Sequence, residues 1–139
     1  MPIAVQLHSF AEEVLAAEMP VLVDFWAVRC MPCRVQKPIL QELAEEFADR
    51  LKICAFNVDQ EDGESEDDLK EKFRLILEYH VMNLPTMLLF RRGEVVRTLV
   101  GLHQKEELLE ILAEEGLLPE LNEQDAGNGK ERRADEQRD

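Results

Sequence analysis

Cys30 and Cys33 stand two residues apart, with Met31 and Pro32 between them. At that spacing two sulfurs can close a disulfide and reopen it with little backbone movement. The place of the pair matters as much as its spacing. An apolar, β-branched run, Val21–Trp26, leads into it, and a helical pattern leaves it from about Pro32 to Ala48. Free backbone N–H groups and the positive dipole end at a helix start favour an anion. A thiolate at Cys30 is therefore expected to form more easily than in a free thiol, whose pKa is about 8.5. Pro32 suits the first turn, where no N–H is needed. The chemistry this permits is exchange. Cys30 attacks a partner disulfide, and Cys33 then attacks Cys30 and frees the reduced partner; run backwards, the same steps oxidise one. Cys33 is expected to be the less exposed sulfur and to need a proton acceptor. Asp24, an acid within the apolar run, fits that need, because desolvation raises a carboxyl's pKa toward neutrality. Its other reading is a structural acid bonded to backbone.

The surrounding elements must hold these groups. Val5 to Leu7 reads as a short strand, and Ser9 with Glu12 as a capping box opening a helix through Phe10, Val14 and Leu15. Val21–Trp26 and Leu51–Val58 read as buried strands. The helix between them shows a stripe of Val35, Ile39, Leu43 and Phe47, with Pro38 expected to kink it. A helix over 69–79 comes next, with Leu69, Phe73, Ile76 and Leu77 as its apolar residues. Met87–Phe90 and Glu94–Val100 form a hairpin around Arg91-Arg92-Gly93. A last helix over 104–115 uses Leu108, Leu109, Ile111 and Leu112, and Gly116 and Pro119 stop it. Alternation in the first half implies parallel crossovers, and the hairpin implies antiparallel neighbours. The expected fold is α/β, a central mixed sheet flanked by helices on both faces. Residues 1–118 form the domain, with an acidic insertion at about 60–72, and 119–139 a polar tail expected to be disordered.

Composition narrows the function. The 139 residues are 45% hydrophobic, enough for one packed domain, and no apolar run approaches the length of a membrane span. A formal charge of −14 repels phosphate backbones and anionic membranes, so neither nucleic acid nor membrane is an expected partner. Residues 59–72 alone hold eight acids against two lysines. The first ten residues lack a basic start and an apolar stretch, so a cytoplasmic location is expected. Cys54, alone in a strand pattern, reads as a small buried hydrophobe. His8, His80 and His103 are scattered; no metal site and no cofactor are expected.

Val21-Leu22-Val23-Asp24-Phe25-Trp26-Ala27, Cys30-x-Pro32-Cys33-Arg34, Pro38, Asn57-x-Asp59, Leu84-Pro85-Thr86 and Gly93 occur in this order and resemble the thioredoxin family from about Val5 to Leu112. The resemblance implies that fold and dithiol–disulfide exchange. It aligns Cys30 with the attacking cysteine, Cys33 with the resolving one, Asp24 with the buried acid, and Pro85 with a cis proline beside the disulfide. Leu84 could then offer backbone to an extended substrate, with Trp26, Met31, Pro32, Pro85 and Gly101 completing a docking surface. The implied partners are disulfide-containing proteins and a thioredoxin-reductase-type electron donor, served by a monomer. Three positions depart from the family: Met31 stands for a usual glycine, Arg29 for a common tryptophan, and Ala55 for a frequent lysine near the buried acid. The span from Asp59 to Pro85 is also longer than usual. The expected activity is reduction of partner disulfides. An adaptor or redox-responsive binding module, its acidic insertion contacting a partner, is the alternative, and an oxidase or isomerase a third reading.

Overall fold

The computed structural model describes residues 2–117, in two compact units divided between Gln104 and Lys105. The expected disorder of 119–139, and Pro119 as a helix stop, lie outside the described residues. In the first unit, five strands form one mixed sheet: β1 (Ile3–Val5), β2 (Val21–Trp26), β3 (Lys52–Asn57), β4 (Thr86–Arg91) and β5 (Glu94–Val100), in spatial order β1-β3-β2-β4-β5. The β1–β3 and β3–β2 pairs are parallel; β2–β4 and β4–β5 are antiparallel. This is the expected mixed α/β sheet.

Strand alternation divides the sheet into two interiors. Val21, Val23 and Phe25 of β2, Cys54 and Phe56 of β3, and Leu88 and Phe90 of β4 pack in one cluster with Phe10, Val14 and Val81. Leu75, Ile76 and Tyr79 of α2 (Glu66–Glu78) and its C-cap close over that face. The other face carries Leu22, Asp24 and Met87, all buried, and receives α1 (Met31–Glu46). Helices thus cover both faces.

The buried side of α1 is Cys33, Gln36, Leu40, Leu43 and Ala44. The expected stripe of Val35, Ile39, Leu43 and Phe47 is corrected: only Leu43 of the four is buried, and Val35 is 48% exposed. The real face includes polar Gln36, whose amide donates to the His103 carbonyl (3.0 Å) and accepts from the His103 N–H (2.8 Å). Two-way pairing lets an amide sit at 0% exposure. The helix assignment continues through Pro38.

The first helical region is also corrected. Leu7–Ser9 is one 3₁₀ turn running into a π-type segment, Ala11–Leu15. Phe10 is already helical (φ −60°, ψ −45°), so Ser9 cannot cap the π-type segment. Its hydroxyl instead accepts the Gln6 N–H (3.0 Å), closing the turn behind it.

The capping box lies at α2. Ser65 accepts the Asp68 N–H (3.1 Å), and Asp68 accepts the Ser65 N–H (3.0 Å). That starts the helix three residues before Leu69. Of its expected apolar residues, Ile76 packs on the core, while Leu69, Phe73 and Leu77 are 37%, 61% and 50% exposed. The one fully buried residue of α2 is Lys72. The β4–β5 hairpin turns at Arg92 and Gly93, both with positive φ (53° and 83°), which matches the strands' twist. In the second unit, α3 (Lys105–Glu114) buries Leu108 and Leu112. Gly116, at φ 75°, ends its helical turn.

After α2, His80 holds φ 57°, a left-handed conformation in which a Cβ crowds the backbone. Its N–H bonds the Leu77 carbonyl (3.1 Å), and the Val81 N–H bonds the Ile76 carbonyl (3.0 Å), so the fold fixes that conformation. His80→Gly should therefore raise unfolding free energy by about 1 kcal/mol in urea titration; unchanged or reduced stability would contradict this account.

Candidate active site

Cys30 is the N-cap of α1, extended at φ −87° and ψ 110°. Its sulfur accepts the Cys33 N–H at 3.2 Å, so one of the helix's free donors points at the atom that would carry charge. Met31 and Pro32 fill the first turn. Cys30 and Cys33 are joined as a disulfide, their Cα atoms 5.2 Å apart. The two sulfurs differ in setting: Cys33 is buried and Cys30 half-buried.

The approach to the helix is held at several points. The Cys30 N–H donates to the Ala27 carbonyl (3.2 Å). The Val28 N–H donates to the Asp59 carboxylate (2.9 Å). Arg34, in the first turn of α1, donates to the Val28 carbonyl from Nε (3.2 Å) and Nη2 (3.0 Å). Arg29, the other cation beside Cys30 in sequence, is exposed.

Asp24 lies mid-strand, opposite Ala55 of β3 and Met87 of β4. It is 4% exposed, and its Oδ1 has no hydrogen-bond partner among the described residues. The expectation of a structural acid tied to backbone leaves that oxygen unexplained. Burial pushes the carboxyl from 3.8 up to about 7, against a weaker downward pull from Lys37. Asp24, Trp26, Cys33, Lys37, Ala55 and Asn57 line one cavity of about 440 Å³. Acid and buried sulfur thus share a space. The small side chain of Ala55 leaves it open, and Lys37 reaches toward it with its ammonium 5.4 Å from the Trp26 ring centre.

The strand register brings the remaining expected residues to the same end of the sheet. Trp26 closes β2, and Phe25 pairs with Thr86, the first residue of β4. Leu84 and Pro85, joined by a cis peptide bond, immediately precede Thr86. Val100 pairs with Thr86, which sets Gly101 beside them, and the Gly101 N–H donates to the Pro85 carbonyl (2.8 Å). Met31 and Pro32 are exposed, Trp26, Leu84 and Gly101 partly so, and Pro85 is buried. Cys54 sits in the core on the opposite face from Asp24, at 0% exposure, and burial pushes its thiol up to about 11.

Lys37, Val28 and Asp59 were not singled out in the sequence for a role at the site. Lys37 could have been found, because it lies one turn beyond Cys33 on the same helix face. The Asp59–Val28 bond joins loops far apart in sequence and leaves no local pattern.

A family model, that of thioredoxin, matches residues 2–114. The chain belongs to the thioredoxin family. It is 40% identical over 102 residues to a thioredoxin of Rickettsia bellii (strain RML369-C), covering 73% of this chain and 87% of that protein. Over 104 residues it is 39% identical to a thioredoxin of Acidithiobacillus ferridurans, covering 75% of this chain and 86% of the relative. With its Cys30–Cys33 pair at bonding distance, this thioredoxin-family chain is a thiol–disulfide oxidoreductase of the protein-disulfide reductase class, acting on disulfide-containing substrates. Among the described residues, no helix is long and apolar enough to cross a membrane.

The raised pKa of Asp24 makes a stability prediction. Folded chain binds the Asp24 proton more tightly than unfolded chain, so the cost of burying the charge is full above pH 7 and disappears as pH falls toward 4. In urea denaturation, Asp24→Asn should stabilise the oxidised protein at pH 8 by up to about 4 kcal/mol, each tenfold in proton affinity counting about 1.4 kcal/mol. The gain should shrink on acidification; a gain independent of pH would contradict this assignment.

Proposed function

We propose that the chain reduces disulfides of partner proteins, with Cys30 as nucleophile, Cys33 as resolving thiol and Asp24 as proton acceptor. The observation that carries this reading is the asymmetry of the pair: one sulfur at the helix start receives an N–H, while the other is buried and shares a cavity with Asp24, whose Oδ1 has no hydrogen-bond partner among the described residues. In the reduced protein the Cys30 thiolate attacks a partner sulfur. The mixed disulfide forms, and the partner's other sulfur leaves as a thiolate and takes a proton from solvent. Cys33 passes its proton to Asp24 through the shared cavity and attacks the Cys30 sulfur. The Cys30–Cys33 bond forms, the partner's second thiolate leaves, and two electrons have moved to the partner.

Met31 and Pro32 offer exposed surface next to Cys30 in sequence, and Trp26, Leu84 and Gly101, partly exposed at the same end of the sheet, would complete the docking surface. An extended partner segment would pair with the Leu84 backbone; the Pro85 carbonyl is already used by Gly101. A thioredoxin-reductase-type donor would restore the dithiol. We assign the activity to residues 1–118, acting as a monomer in the cytoplasm, with no nucleic-acid or membrane partner, in keeping with the charge of −14. One observation favours the adaptor reading: the outward row Leu69, Phe73 and Leu77 beyond the acidic segment.

With a thiol source present, the wild type should reduce insulin disulfides well above background and Cys30→Ser should not; equal rates would overturn the reductase reading. Phe73→Ser with Leu77→Ser should leave that rate unchanged, whereas an adaptor would lose its partner. In stopped-flow traces, the second step should rise with pH through about 7, the range in which Asp24 can accept a proton. Asp24→Asn should slow it and abolish that inflection. An inflection that survives the substitution would remove Asp24 from the mechanism.

A further inference from the structure

The acidic segment before α2 surrounds a buried cation. Lys72 is 1% exposed, an expensive place for an ammonium unless its charge and protons are met. Its Nζ donates to Glu64 Oε1 (2.8 Å) and to the Asp59 carbonyl (2.8 Å), lies 3.9 Å from Glu61 Oε1, and stands 5.6 Å from the centre of the Phe56 ring. Glu64 is itself fixed, because its carboxylate also accepts the Glu61 N–H (2.7 Å). The insertion therefore folds back on Lys72.

The second partner of Lys72 leads to the redox loop. All three polar parts of Asp59 are engaged. Its carbonyl takes the Lys72 ammonium, its N–H donates to Asn57 Oδ1 (2.9 Å), and its carboxylate accepts the Val28 N–H (2.9 Å). Val28 is two residues before Cys30, and its carbonyl holds Arg34 of α1. A continuous set of bonds thus runs from α2 through Lys72 and Asp59 to Val28 and the first turn of the cysteine helix.

We propose that Lys72, with Glu64 as its counter-ion, is a positioning residue for Cys30. By fixing Asp59 it holds the Ala27–Arg29 loop so that the Cys30 sulfur stays on the Cys33 N–H. This deepens the proposed role of Cys30 as nucleophile and rests on that reading. It also gives the insertion a task inside the molecule rather than at a partner's surface.

Removing Lys72 alone would strand Glu64 and confuse positioning with stability. The informative variant is Lys72→Met with Glu64→Gln, which removes both charges and leaves the Asp59 carbonyl without its donor. In the reduced protein, two readouts are followed: hydrogen exchange of the Val28 amide and the pH profile of Cys30 alkylation. We expect Val28 exchange to rise about fivefold relative to core amides, the weight of one net hydrogen bond. The alkylation midpoint should move upward, lowering the rate at pH 7 about threefold. Unchanged Val28 exchange and midpoint in a folded variant would overturn the proposal, as would changes that merely track the loss of global stability. Should the double variant fail to fold, Lys72→Leu with Glu64→Leu, which replaces the buried ion pair by apolar side chains, decides on the same readouts, and Asp59→Ala tests the last link of the chain of bonds. It should behave as predicted for the double variant, and Asp59→Asn, which keeps an acceptor for Val28, should restore the wild-type values; wild-type behaviour of Asp59→Ala would refute the proposal. Neither readout requires turnover. Failure of the wild type in insulin reduction would defeat the reductase reading while leaving the measured coupling of Lys72 to Val28 in place.

Discussion

The opening turn of α1 has N–H groups with no carbonyl before them to bond, and the Cys30 sulfur accepts one of these, from Cys33. Much else in the molecule serves that contact. Strand β2 delivers the chain to the right end of the sheet, Pro32 occupies a first-turn position without wasting a donor, and Arg34 and Asp59 hold the carbonyl and the N–H of Val28. The sheet adds the second requirement, since Asp24 can face the buried sulfur only because β2 alternates and its neighbour at Ala55 is small.

Those two requirements pull against each other. A sulfur that attacks must be reachable and easily ionised, while one that waits must be shielded and keep its proton until needed. The fold separates them by a single helical turn. Cys30 sits at the boundary where backbone donors meet solvent, and Cys33 faces the interior over a carboxyl whose own ionisation is displaced toward neutrality by burial. Burial of Asp24 costs stability while raising its carboxyl toward neutrality, the property on which its proposed role as proton acceptor depends.

The sequence made the main elements legible where one signal dominated. The apolar run at Val21–Trp26 matches β2 residue for residue, and the hairpin expected around Arg91-Arg92-Gly93 is present, with its turn narrowed to Arg92 and Gly93 because Arg91 still belongs to β4. Asp24 was visible as a contradiction within an apolar strand. The errors share a cause, which is that chemistry was hidden on faces expected to be apolar. On α1, Gln36 and Cys33 belong to the buried side, so hydrophobic spacing points to Val35 and Ile39 instead. On α2, the most enclosed residue is a lysine, which composition alone places in solvent. Ser65 and Asp68 form a capping box within the acidic insertion, where the run of charge gives no apolar spacing to announce a helix before Leu69.

Cys54 is sealed into the sheet's other interior, paired across strands with Val23 and Ile3. Its isolation gives the protein a thiol inventory that depends on folding. Reduced native chain offers the half-buried Cys30 to reagents, and the oxidised form offers no free thiol at that pair, whereas Cys54 becomes countable only when the sheet opens. Labelling of Cys54 is therefore an internal marker of unfolding, separate from the redox state of the working pair.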